Sequence, residues 1–292
     1  MRRRAVQGRR ADDSQYHWGW DWGPVVLTAG PYLPVYLEAY DLRIEDVYVQ
    51  TNLADDHSTA DVAIEVKVAP VGTQPASARI SVVDADGTEV FSASPDIFED
   101  GEAYVKFAAA SPRLWWSNGL GQQHLYTAHV TLLDAGSDAL DASSTRFGIR
   151  EVELIQRDLD DEPGKTFMFR INGVDVFAQG VNWIPASNLL PTVTRARYFD
   201  WIRTVAFAHM NMIRVWGGGI YETVDFFDAC DELGVLVWHD YAFACGDYPL
   251  HEEFLASVKK EAEVQTTRIR NRASLALLCG GNEDFMMYDW LK

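Results

Sequence analysis

The chain has 292 residues, 48% of them hydrophobic, which is enough for about two domains with buried cores. Its formal net charge of -18 argues against a phosphate-binding surface, because neutralising a nucleic-acid backbone calls for clustered Lys and Arg. No apolar run approaches the length of a membrane span, so neither a nucleic acid nor a membrane is expected as a partner.

Met1 to Arg10 is basic, but polar residues follow it instead of an apolar segment. It therefore reads as misplaced or cut upstream sequence and not as a secretory signal. Tyr16-His-Trp-Gly-Trp-Asp-Trp-Gly-Pro24 is dense in aromatics, and the alternation of Val35 to Tyr40 predicts a strand. Residues 1–40 are too few for a stable domain of their own.

From Asp41 to Glu153 the chain carries short alternating runs: Ile44 to Gln50, Ala60 to Ala69, Ala78 to Val83, Tyr104 to Phe107, His124 to Leu133 and Arg146 to Leu154. Turn signals at Asp86-Gly87, Asn118-Gly119 and Ala135-Gly136 separate them, and no segment has a helical period. That pattern predicts an immunoglobulin-like β-sandwich over 41–153.

Residues 154–292 change to alternating strands and helices. Strands are predicted at Val176 to Val181, Met212 to Val215, Val235 to Trp238 and Leu275 to Cys279. The helices between them are predicted at Thr194 to His209, Tyr221 to Leu233 and Glu252 to Arg272. Strict alternation implies parallel strands, either in a doubly wound sheet or in the first half of a (β/α)8 barrel. The barrel is favoured because each strand ends in polar or aromatic residues: Asn182-Trp183, Trp216-Gly-Gly-Gly219, His239-Asp240 and Asn282-Glu283. Barrel active sites are assembled at those ends.

Glu283 is the leading chemical candidate. A carboxylate at the mouth of an apolar strand suits proton transfer to a leaving oxygen, since apolar surroundings favour the protonated form. The plainer alternative is a surface carboxylate pairing with a loop Arg. Gly280-Gly281 lets the backbone turn sharply there, and the Asn282 amide offers donor and acceptor beside the acid. Trp216 stands before three glycines, so its ring can lie close over the backbone; interior packing is its alternative. Arg214, one pleat away, is expected to point the same way and to order a carboxylate such as Glu283, because an unpaired buried Arg is too costly. Ten Trp in all supply flat faces that suit sugar rings, although core packing accounts for most of them.

Cys230, Cys245 and Cys279 have no C-x-x-C spacing, and an odd number cannot pair completely. Neither a disulfide framework nor a cysteine zinc site is expected. His209, Asp225, Asp228 and His239 lack the spacing of ligands on one helix face, so no metal is expected, and no other cofactor. Unpaired cysteines and the lack of a leader in this chain suggest a cytoplasmic setting.

Gly280-Gly-Asn-Glu283, Arg214-Val-Trp-Gly-Gly-Gly219, Trp18-Gly-Trp-Asp-Trp-Gly-Pro24 and Arg146-Phe-Gly-Ile-Arg150 together resemble the β-mannosidases of glycoside hydrolase family 2. The resemblance runs from about Gln15 to the end. It implies the end of a jelly-roll sugar-binding domain over 1–40, the sandwich over 41–153, and the amino-terminal half of a catalytic barrel over 154–292. It also implies a retaining hydrolase that removes terminal β-linked mannose from an oligosaccharide. Glu283 would be its general acid/base, and Asn282, Trp20, Asp21, Trp216 and Trp183 would bind the sugar. Arg214 and Asp240 would support them.

The family's nucleophile would lie beyond Lys292, so this piece alone is expected to be inactive; Asp284 and Asp289 follow the acid too closely to serve. The sequence departs from the family at His239, where a Gln is usual, at Tyr241, where a Phe is usual, and at Asp284, where an Asn is expected. Two other readings stay open: a non-catalytic carbohydrate-binding module, and a related β-galactosidase or β-glucuronidase.

Overall fold

The computed structural model describes residues 15–26, 28, 30–69, 77–284 and 286. The basic segment Met1 to Arg10 and Asp289 lie outside them. The chain divides into two compact units, one of residues 39–178 with 270–273, the other of 1–38, 179–269 and 274–292.

The first unit is a β-sandwich. One antiparallel sheet runs β1 (Arg43–Leu53), β2 (Thr59–Ala69) and β5 (Glu102–Ala110); the facing sheet has the order β4 (Glu89–Ala93), β3 (Ser77–Val83), β6 (Tyr126–Leu133) and β7 (Ala139–Phe147). Alternation drives the closure: in β2, Ala60, Val62, Ile64 and Val66 are buried while their neighbours are more open, so one face of each strand meets the core. The opposite partners Ala78, Ile80, Val82, Ala128, Val130 and Leu132 complete it.

Two β-turns are built alike. Asp84 accepts from the backbone N–H of Asp86 (2.9 Å) and Thr88 (3.0 Å), and Asp134 accepts from Gly136 (2.8 Å) and Asp138 (2.9 Å). The carboxylate before each Gly therefore organises its turn. Asn271 serves β1 from far along the chain, accepting from Val49 N–H (3.0 Å) and donating to the Val47 carbonyl (2.7 Å).

A third antiparallel sheet has the order β10 (Val174–Val176), β9 (Met168–Ile171), β8 (Val152–Ile155). The expected run Arg146 to Leu154 is thus split between β7 and β8 by a non-strand stretch, and the run Val176 to Val181 between β10 and the next strand. Both breaks fall where pairing partners change, which alternation along one strand cannot register. Val35 to Tyr40 is not a strand: it pairs with no sheet among the described residues and stays irregular and exposed.

The second unit carries a parallel sheet in sequence order: β11 (Gly180–Trp183), β12 (Met212–Val215), β13 (Leu236–Asp240) and β14 (Leu275–Cys279). Between consecutive strands from β11 to β14 lie α1 (Arg195–Phe207), α2 (Val224–Leu233) and α3 (Glu252–Ile269). Thr194 and Thr223 cap α1 and α2 by accepting from Arg197 and Phe226 N–H, so α2 starts three residues later than its periodicity predicts. At Gly180 a Cβ would sit 1.9 Å from the Met212 carbonyl oxygen, so β11 can approach β12 only with glycine there.

Parity divides this sheet. Trp183, Val215, Val237 and Leu278 join Tyr198, Ile202, Phe226, Phe227 and Ile269 in the helix-facing core, while Asn182, Arg214 and Trp238 occupy the opposite pleats in matched register. Replacing fully buried Ile64 with Ala in the sandwich is expected to cost about 2–5 kcal/mol, measured as a fall in the midpoint of urea unfolding at unchanged slope.

Candidate functional site

The carboxyl ends of β11 to β14 gather the polar groups that the sequence marks. Asp240, whose side chain is 0% exposed, is the hub. It accepts from Arg214 Nη2 (2.6 Å) and Nε (3.3 Å), from the Trp238 indole N–H (3.0 Å) and from Gly217 N–H (3.1 Å). Every partner is a donor, which fits an ionised carboxylate. Burial pushes its pKa up, and the Arg214 guanidinium pulls against that shift.

Arg214 directs two further donors at Asn182 Oδ1 (3.3 Å) and Asn282 Oδ1 (2.8 Å). The carboxylate it orders is therefore Asp240 and not Glu283, a correction to the sequence reading. Because Asn282 Oδ1 is occupied, its amide NH2 faces the other way, where it lies 3.4 Å from Cys245 Sγ.

Glu283 follows at the end of this chain of bonds. Its Oε2 accepts from the Cys245 thiol at 3.2 Å, and its backbone is left-handed, with φ 61°. The side chain is exposed, where the sequence led us to expect an apolar enclosure. It is nonetheless tied to the indoles: Cys245 and Trp20 pack against a buried cluster of Tyr16, Trp216, Ile220 and Ala244.

Trp216 is buried in that cluster. Its ring lies over Gly218, where a Cβ would stand 2.0 Å from it. Trp20 meets it edge-on at 5.0 Å and Trp22 at 5.7 Å, while Tyr16 stacks on Trp22 at 6.0 Å. Asp21 is exposed at the tip of the turn closed by the Trp20 and Gly23 pairing.

Trp183 does not join this group. Its pleat faces the helices, where its indole donates to Glu222 Oε1 at 2.8 Å and its ring packs on Trp201 and Phe226. As a sugar-binding residue it is corrected: its parity with Val215 puts it in the core. Glu222, which sequence reasoning missed, is a buried acid whose pKa is raised by burial against hydrogen bonds from Trp183, Tyr198 and Thr223. The clue was a lone carboxylate between an apolar run and the capping Thr223. Cys245 carries no signal in the sequence, because a lone cysteine without pair or metal-ligand spacing marks no chemistry.

Two departures from the family pattern also face the helices. Tyr241 OH meets Thr266 Oγ1 at 2.6 Å. The His239 ring is stacked against those of Tyr221 and Phe227. Its Nδ1 donates to the Asp240 carbonyl (2.6 Å), and its buried Nε2 has no hydrogen-bond partner among the described residues. Burial, aided by the Arg268 charge and opposed by the bond to Asp240, lowers its pKa to about 4.

Residues 42–150 match the family described as Glycosyl hydrolases family 2. The chain is therefore similar to members of glycoside hydrolase family 2. It is 44% identical over 273 residues to Beta-mannosidase B of Thermothelomyces thermophilus, covering 93% of this chain and 31% of that protein. It is equally identical over 276 residues to Beta-mannosidase B of Aspergillus clavatus, covering 94% of this chain and 32% of that protein. Among solved structures, the β-D-mannosidase from Dictyoglomus thermophilum matches with a TM-score of 0.84 and 38% identity, over 92% of this chain and 33% of that one. A Parabacteroides merdae β-glucuronidase shares the fold, with a TM-score of 0.72 and 20% identity, over 84% of this chain and 29% of that one. The chain thus spans about a third of the length of these relatives.

His239 makes stability depend on pH. It stays neutral in the folded state and takes up a proton more readily when unfolded, so its contribution is present above pH 6.5 and disappears as pH falls towards 4. Over that window the wild type should lose about 3 kcal/mol more than His239→Gln, read from urea unfolding of both proteins at pH 7 and pH 4. The Gln amide can still donate to the Asp240 carbonyl.

Proposed function

We propose that the complete protein is a retaining, exo-acting β-mannosidase that releases terminal β-linked mannose from oligosaccharides. In this reading β11 to β14 and their helices form the first half of a (β/α)8 barrel, the sandwich is immunoglobulin-like, and the amino-terminal aromatic segment is the end of a jelly roll. The observation that carries it is the meeting of Glu283 and Asn282 at the end of β14, linked by Cys245 to the Trp216 cluster. The 44% identity to proteins called Beta-mannosidase B, over 93% of the chain, supports the choice of sugar.

Glu283 protonates the departing glycosidic oxygen and then takes a proton from the water that frees the glycosyl-enzyme. The exposed carboxylate is open to an incoming sugar. Arg214 holds the Asn282 carbonyl oxygen and one N–H of the amide is directed at Cys245 Sγ, so the second N–H is the donor offered to the hydroxyl next to the anomeric carbon, where bonds strengthen as charge develops. Trp216 and Trp20 form an aromatic wall, and exposed Asp21 can accept from two hydroxyls of the terminal sugar. The nucleophile, about 5 Å from Glu283 in a retaining enzyme, is assigned to a part of the complete protein outside this chain. No metal or other cofactor enters the scheme.

The complete protein is expected to hydrolyse aryl β-mannoside in preference to aryl β-galactoside and β-glucuronide. Glu283→Ala should lower kcat/KM on an unactivated mannoside by about 10²–10⁴-fold. Full activity in that variant would overturn the assignment, and saturable mannobiose binding without turnover in the wild type would point to a binding module.

A further inference from the structure

The thiol of Cys245 is the hydrogen-bond donor that the described residues show on Glu283, and it is itself held from several sides. Its Sγ lies between Glu283 Oε2 (3.2 Å) and the Asn282 NH2 (3.4 Å). Its backbone N–H donates to the Asn282 carbonyl (2.8 Å), while Asn282 N–H donates to the Phe243 carbonyl (2.9 Å), so loop 243–245 runs beside 282 like one more strand pair. Tyr248 OH grips Ala244 through both its N–H (2.8 Å) and its carbonyl (3.2 Å). Cys245 and Glu283 both have left-handed backbones, φ 50° and 61°, uncommon for residues with a Cβ and persistent only where surroundings enforce them.

We propose that Cys245 is a positioning residue for Glu283, its thiol fixing the carboxylate at the end of a hydrogen-bonded series that runs from Asp240 through Arg214 and Asn282. This rests on the reading of Glu283 as the general acid/base. Each link restricts the next: buried Asp240 fixes Arg214, Arg214 sets which way the Asn282 amide faces, and that amide leaves Cys245 Sγ free to spend its proton on Glu283. Burial and the nearby Glu283 charge raise the thiol's pKa, which keeps it a donor. A flexible, exposed Glu side chain samples several rotamers, and a fixed donor selects the one aimed at the leaving oxygen.

The test compares wild type, Cys245→Ala and Cys245→Ser in the complete protein, using kcat/KM for an alkyl or disaccharide β-mannoside and for a dinitrophenyl β-mannoside. The first needs its leaving oxygen protonated and the second does not. Cys245→Ala should lose about tenfold on the poor leaving group, the equivalent of one hydrogen bond, with no comparable loss on the activated one. Cys245→Ser, which keeps a donor, should recover most of it. Equal losses on both substrates, or none on either, would make Cys245 a packing residue and overturn the proposal. Should the wild type cleave another aryl β-glycoside but no mannoside, the sugar assignment alone fails and the same comparison on that glycoside still decides the role of Cys245. A wild type that cleaves none overturns both.

Discussion

Asp240 cannot be solvated, so it must be bonded, and the site is arranged by the donors it collects. Its side chain is fully buried beneath Arg214, the Trp238 indole and the Gly217 amide. Removing Arg214 would strand the Asp240 charge away from water, a cost of several kcal/mol. The pair therefore constrains β12, β13 and the Gly-rich turn together. Arg214 carries the constraint to Asn282, three residues past the end of β14. Glu283, though exposed, thus stands at the edge of a framework with little freedom.

The parallel sheet uses its two faces for separate purposes. On one, Arg214, Asn182 and Trp238 lead to Asp240 and Asn282. On the other, Trp183, His239 and the neighbouring Glu222 form polar contacts inside an aromatic layer against the helices. Residues adjacent in sequence, such as His239 and Asp240, therefore belong to different environments. The family departures at 239 and 241 fall on the helix side, so they bear on packing and acid stability more directly than on sugar choice.

Much was legible along the chain. Alternation located most of the sandwich strands, because burial of one face per strand needs period two. The βα alternation gave the parallel sheet, since parallel strands require crossovers. The pattern failed at 35–40, which pairs with no sheet among the described residues, and at 176–181, where one run serves two sheets. Those are facts about partners, which a strand's own residues do not encode.

The sequence by itself determined the family resemblance, the strand-end positions of Asn282, Glu283 and Asp240, and the pairing of Trp216 with glycines that let a ring lie over the backbone. Only the tertiary structure decided which charges meet: Arg214 with Asp240 instead of Glu283, Trp183 with Glu222 instead of the site, and Cys245 with Glu283. Spacing fixes the pleat on which a side chain stands. Which neighbour fills the opposing space depends on register between strands and on loops 38 or 68 residues away, set by packing of the whole unit.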